Sequence, residues 1–224
     1  AYKNTFDGWM TVVDGAYTFK DWNLKLAVAY GYASGANEPH KVEVNKTYHG
    51  FIGLHELYIG KRVPSIMLDE RLLKRPIVTK YSGDNGQALE VAGELSFTDL
   101  QHVGIGATWT PKTFIKDLML NPNIIGFWKA KQMNKYDVTA GAFSPTEKAS
   151  NFMGTEINLL SSCTVVKDLT LFANIAAFFP GGFFTDMTGV PLDDAVFQAI
   201  VQDDRNPIED ASQFRLHDDV AYYI

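Results

Sequence analysis

From Trp9 to Phe19 the odd positions read Trp9, Thr11, Val13, Gly15, Tyr17 and Phe19, while the even ones include Asp14 and Thr18. After the polar turn Lys20-Asp21-Trp22-Asn23, Leu24, Leu26, Val28, Tyr30 and Tyr32 share one face; Lys25, Ala27, Ala29, Gly31 and Ala33 share the other. Because successive side chains in a strand point to opposite faces, this period of two predicts a hairpin with one greasy face and one small or polar face. The alternation returns in Val103, Ile105, Ala107 and Trp109; in Leu118, Leu120, Ile124 and Trp128; in Thr155, Ile157, Leu159 and Cys163; and in Leu169, Leu171, Ala173, Ile175 and Phe179. It ends with Val220, Tyr222 and Ile224 facing away from Arg215, His217 and Asp219, which makes about seven strands.

The connections alternate in length. Short ones lie at 20–23, 111–117 and 166–168, and long ones cover 34–99, 130–153 and 180–213. Nothing in a soluble sandwich requires every second connection to be long, whereas outer-membrane barrels have short periplasmic turns and long extracellular loops. Strands of about 9–11 residues are long enough to cross at a tilt. Within the loops, Met67, Leu68, Leu72 and Leu73 sit at helical spacings in Val63–Arg75, and Pro191, Asp193 and Asp194 open a second helical pattern that Asn206-Pro207 ends. Residues 87–97 also alternate; a crossing there would reverse the direction of the strand near Leu100, so they are placed in or above the rim.

The predicted fold class is therefore all-β: a transmembrane antiparallel up-and-down β-barrel, or the C-terminal part of one, with long extracellular loops carrying short helices. Bacterial single-chain barrels close with even strand numbers from 8 upward, and the chain stops at Ile224 inside an alternating run. Residues 1–224 are thus read as a single outer-membrane β-barrel domain, incomplete at both ends. No signal peptide opens the chain, so one is expected to have been removed or to lie outside it.

Composition removes several other classes. With 46% hydrophobic and 21% charged residues the chain resembles an average folded domain, and a mean hydropathy of -0.10 is too polar for a bundle of membrane helices. The most apolar run, 169–184, is broken by Asn174, Pro180 and two glycines. Fifteen Phe, 10 Tyr and 4 Trp exclude intrinsic disorder. A formal charge of -6 argues against a nucleic-acid partner. One cysteine, Cys163, permits neither an intrachain disulfide nor a CxxC pair.

Three segments carry a family resemblance. LKLAVAYGYASGAN at 24–37, LQHVGIGATWTP at 100–111, and the stretch 152–181 with GTEIN at 154–158 and AAFFPG at 176–181 resemble, in order and spacing, strands of the alginate-export family of outer-membrane porins. The resemblance implies a porin-like channel. It also implies a basic lumen for a polyanion, whereas the inward positions here mix Asp14, Glu156 and Asp219 with Lys25 and Arg215.

If the greasy face meets lipid, the opposite face lines a pore, and the pore-lining candidates are Asp14, Lys25, Glu156, Asn158, Asn174, Arg215, His217 and Asp219. The bland alternative is an ordinary wet ion-pair ladder. Lys61, Arg62, Arg71, Lys74 and Arg75 form the densest basic cluster, inside the longest loop. They are constriction candidates if that loop folds inward; otherwise they solvate it or bind lipopolysaccharide phosphates. Aromatic residues near strand ends, Trp9, Phe19, Tyr30, Tyr32, Trp109, Trp128, Phe179 and Tyr222, fit interfacial girdles. The five histidines show no HExxH spacing, the acidic run at 203–210 lacks the EF-hand pattern, and neither GxSxG nor GxxxxGKS occurs. No metal, cofactor or enzymatic activity is assigned.

The functional expectation is a passive outer-membrane channel for diffusion or export of hydrophilic solutes, with saccharides or sugar acids as candidates. Its partners would be outer-membrane lipid, lipopolysaccharide and small hydrophilic solutes. Two rivals stand beside it: a soluble or secreted all-β carbohydrate-binding domain, and a plugged barrel acting as an adhesin or structural anchor.

Overall fold

The alternating segments pair into one antiparallel sheet. A computed structural model describes residues 5–35, 47–51, 62–66, 77–82, 88–93, 99–188 and 221–223. The strands are β1 (Thr5–Phe6), β2 (Met10–Phe19), β3 (Leu24–Ala33), β4 (Thr47–Tyr48), β5 (Ile77–Ser82), β6 (Ala88–Gly93), β7 (Leu100–Trp109), β8 (Lys116–Lys129), β9 (Asn134–Asp137), β10 (Ala142–Lys148), β11 (Phe152–Val166), β12 (Leu169–Pro180) and β13 (Ala221–Tyr223). A 3-10 turn covers Lys20–Trp22 and a short helix, α1, covers Gly182–Met187. The protein is all-β, and among the described residues no helix is long and apolar enough to cross a membrane.

Seven strands form the main sheet in the order β13-β12-β11-β8-β7-β3-β2, and each neighbouring pair is antiparallel. Among the described residues the sheet is open, with β2 and β13 at its edges. The short connections are built by residues that tolerate a left-handed backbone. Asn23 (φ 49°) closes the 3-10 turn by donating its N–H to the Lys20 carbonyl, and Asp168 (φ 68°) closes the β11–β12 hairpin. Asn and Asp adopt this region more readily than other non-glycine residues. At the third turn β8 begins at Lys116 by pairing with Thr164 of β11, whereas its ladder with β7 ends at Trp109–Leu120.

Register fixes which residues share a face. One row across the sheet reads Gly15, Val28, Ile105, Ile124, Ile157 and Ala177. The row beside it reads Asp14, Ala29, Gly104, Ile125, Glu156 and Phe178, on the opposite face. Exposure runs against the pattern of a water-soluble sheet: Val28 is 59% exposed, Ile105 57%, Ile124 48% and Ile157 47%, whereas Ala29, Ile125 and Glu156 are buried. The apolar face is bare and the small and polar face is covered.

What covers it is the first long loop, whose Val63 packs into a core with Ala27, Ala29, Ala33, Leu100, Ile125 and Phe127 of the sheet. Residues 62–66 of that loop are not helical; the remainder of the helix expected over Val63–Arg75, and the one expected from Pro191, lie outside the described residues. β6, within the ambiguous 87–97 segment, pairs with β5 in a separate hairpin and does not join the main sheet. The second long loop holds a hairpin that the alternation did not reveal, β9 with β10. Tyr136 and Ala149 of this region pack against Met187 of α1 to make a second small core.

Candidate functional site

The polar face is furnished mainly by small residues along β3 and β7, and those residues make room for a visitor. A Cβ built on Gly104 would lie 2.9 Å from Val63 Cγ1, and one on Gly106 would lie 2.1 Å from Asn123 Oδ1. Alanines at 27 and 29 continue the trough. Val63 sits in it and is 2% exposed.

Glu156 of β11, two strands from β7, holds the same segment. Its side chain is fully buried and accepts hydrogen bonds from Ser65 Oγ (2.5 Å), from the Ile66 N–H (2.7 Å) and from Asn158 Nδ2 (2.5 Å). Asn158 Nδ2 also donates to the Pro64 carbonyl at 2.9 Å. Behind Asn158 the amides align head to tail: Asn123 Nδ2 donates to Asn158 Oδ1 (2.9 Å), and the Asn158 amide in turn donates to the carboxylate. Asn121 extends the ladder, accepting from Asn123 and donating to Thr108 Oγ1 at 2.8 Å. A carboxylate is an acceptor only, so a buried one requires donors, and polarised chains of hydrogen bonds strengthen one another. Glu156 finds those donors in the loop and in the ladder.

At its other end the segment is held by charge. Arg62 Nε lies 2.6 Å from Asp14 Oδ1; the arginine side chain is 44% exposed and the aspartate 10%. Asp14 and Glu156 stand in one register row with three residues between them. Residues 62–66 thus span the polar face from β2 to β11.

Of the pore-lining candidates, Asp14, Lys25, Glu156, Asn158 and Asn174 all lie on this face. Lys25 is half-buried, level with Thr18 and Thr108, nearer the short-turn end. Asn174 pairs with Leu160 and is exposed, because nothing described covers the face at that height. Arg215, His217 and Asp219 lie outside the described residues, as do Lys61, Arg71, Lys74 and Arg75. Arg62 alone of the basic loop cluster is described. Ser65, Pro64, Asn121 and Asn123 were missed as site residues. The amides were legible as polar positions opposite Ile124, but no local signal marks a loop residue for contact with a strand 91 positions away.

The long-loop end of the sheet is tied by a second charged contact. Asp99, with φ 53°, has a side chain 5% exposed; Lys129 Nζ lies 2.6 Å from Oδ2 and the Lys131 N–H donates to Oδ1 at 2.7 Å. Beyond it, the Ser150 N–H donates to Asp186 Oδ2 (2.8 Å) and Lys135 Nζ lies 3.1 Å from Oδ1. The Ser150 N–H and then Lys135 hold the Asp186 carboxyl below its ordinary range, and hydrogen bonding to Asp186 raises Lys135.

Aromatic residues flank the bare apolar band on both sides. Toward the short turns, Phe19 stacks on Trp22 with centroids 5.7 Å apart and Trp109 is 45% exposed. Toward the long loops, Trp9 stacks on Tyr32 at 4.8 Å, Trp128 meets Phe152 at 5.5 Å, and Tyr30 and Phe179 are exposed. Tyr222 is placed by its backbone pairing with Ala177. Among the described residues no group of three His, Cys, Asp or Glu side chains is gathered to hold a metal.

No family model, no curated protein and no solved structure matches the chain.

Proposed function

We propose that the chain is part of an outer-membrane β-barrel channel, of the kind the alginate-export resemblance implies, through which small hydrophilic solutes pass passively. The observation that carries this reading is the inverted sheet: a band of Val28, Ile105, Ile124 and Ile157 left bare, opposite a face of small and polar residues that is covered. In water such a band is unfavourable, since each fully buried aliphatic side chain is worth about 1.5–3 kcal/mol relative to exposure; in lipid it is the required surface. Dimensions agree. Ten residues of β7 at roughly 3.4 Å each, tilted about 40°, span about 25 Å, the height of a barrel's apolar belt. The aromatic residues at both margins occupy girdle positions.

On this reading the polar face is the lumen wall, Asp14, Lys25, Glu156, Asn158 and Asn174 line it, and residues 62–66 lie inside the bore. The edges β2 and β13 then need strand partners, because unpaired backbone groups are not tolerated in hydrocarbon. The outward surface meets lipid and lipopolysaccharide. The seated segment also supports a second reading, a plugged barrel used as an anchor.

Conductance separates the two. Full-length protein refolded in detergent and added to a planar bilayer gives discrete steps if it is an open channel. Folded protein that is resistant to unheated gel denaturation yet silent in the bilayer favours the anchor. Protein that stays soluble in buffer, with no heat-dependent gel shift, overturns the membrane reading.

A further inference from the structure

Resting on the channel reading, we infer that Arg62–Ile66 is a constriction clasped at two points, with Glu156 as the positioning residue that sets the bore and Arg62 as the residue that sets charge preference. The segment has no secondary structure of its own to stiffen it. It is held by contacts to the wall instead. At one end Glu156 takes hydrogen bonds from Ser65 and from the Ile66 backbone, and Asn158 reaches the Pro64 carbonyl. Those contacts cross about 90 residues of sequence and join this segment to β11. Val63 fills the glycine trough between them and Arg62.

The two ends of the clasp differ in what they offer a solute. Glu156 is fully buried, so its charge is spent on the loop and the amide ladder. In the Arg62–Asp14 pair the aspartate is nearly covered and the guanidinium is the exposed partner. Arginine presents five donors, of which Nε is used by Asp14, and the remaining donors suit carboxylates. The narrow part of the bore therefore presents a cation to passing solute, and small carboxylated solutes are the class it favours.

Two readouts test this in full-length protein, with Cys163→Ser as the background. The first is structural and does not depend on conduction: a thiol at Ile66→Cys, 4% exposed in the native residue, reacts slowly with a water-soluble maleimide while the clasp holds. Glu156→Ala raises the labelling rate roughly tenfold or more, since hydrogen bonds to an ionised group are lost together. Glu156→Gln restores slow labelling in large part, because the Gln oxygen still accepts from the Ile66 N–H and the Ser65 hydroxyl can turn to accept. Ser65→Ala, which leaves the wall untouched, gives an intermediate rate, and this loop-side variant serves if Glu156→Ala does not fold. The second readout is electrical: Glu156→Ala enlarges the single-channel step, and Arg62→Glu moves the reversal potential in a KCl gradient toward the cation side while Arg62→Lys does not. Unchanged labelling in both Glu156→Ala and Ser65→Ala overturns the clasp. Altered labelling without conductance in any variant retains the clasp and refutes the channel on which the charge preference rests.

Discussion

Ile105 stands at the middle of β7, in the row with Val28, Ile124 and Ile157, and is 57% exposed. Replacing it with arginine distinguishes lipid from water at that face. If the face is solvated, the substitution removes a half-exposed isoleucine from a sheet surface, and the expected change is within about 0.5 kcal/mol in either direction. If the face meets hydrocarbon, an arginine near the bilayer midplane costs about 2–4 kcal/mol, and the cost falls to about 0–1 kcal/mol near the interface. Register supplies the internal control. Trp109, four residues along the same face, lies beside the short-turn end with Phe19 and Leu24, so Trp109→Arg costs markedly less than Ile105→Arg if depth is what matters. The assay is reversible urea unfolding in phosphatidylcholine vesicles, followed by tryptophan emission and by the heat-dependent gel shift. A destabilisation of about 2–4 kcal/mol at Ile105 with a smaller one at Trp109 agrees with the argument. Equal stabilities for Ile105→Arg and the parent protein would refute it.

Three further outcomes follow from the geometry. Lys129→Met leaves Asp99 buried without its cation, and equilibrium unfolding should lose about 3 kcal/mol, the lower end for a broken buried pair; a loss below about 0.5 kcal/mol would mean that water reaches the carboxylate. Asp186 has a lowered pKa, so its contribution is present above the ordinary carboxylate range and is lost as pH falls through the lowered folded value. Lys135 has a raised pKa, so its contribution is present below its ordinary range and fades as pH rises through the raised one. The protection of the Ser150 amide, its exchange rate referred to the intrinsic rate at the same pH, should accordingly fall under acid, with Asp186→Asn abolishing that dependence; pH-independent protection in the parent protein would count against the assignment. Lys25→Glu on the proposed lumen wall should shift ion selectivity toward cations, and an unchanged reversal potential would remove Lys25 from the wall.

Much of this architecture was written locally. Alternation of period two located the seven strands of the main sheet and placed Val28, Ile105, Ile124 and Ile157 together, because strand geometry converts sequence parity directly into face. The short turns were legible from Asn23 and Asp168. Parity does not say which face is covered, and the covering residues lie in a loop whose placement depends on contacts across the chain. The sequence marks Glu156 as an inward charge, but its partners Ser65 and Ile66 carry no signature, since a hydroxyl and a backbone N–H look alike in every loop. The β9–β10 hairpin is not legible for a related reason: its strands are short and polar, and what fixes them is packing of Tyr136 and Ala149 against Met187 of α1.

The channel proposal requires that the bare face of the sheet meet acyl chains. Nitroxide labels placed one at a time at Val103, Ile105 and Ala107, and at Thr108 on the opposite face, report it directly in vesicles through collisions with oxygen and with a water-soluble nickel chelate. A lipid-facing band gives high oxygen and low nickel accessibility at 103, 105 and 107, and the reverse balance at 108. High nickel accessibility at 105, or low accessibility to both agents there, would contradict it.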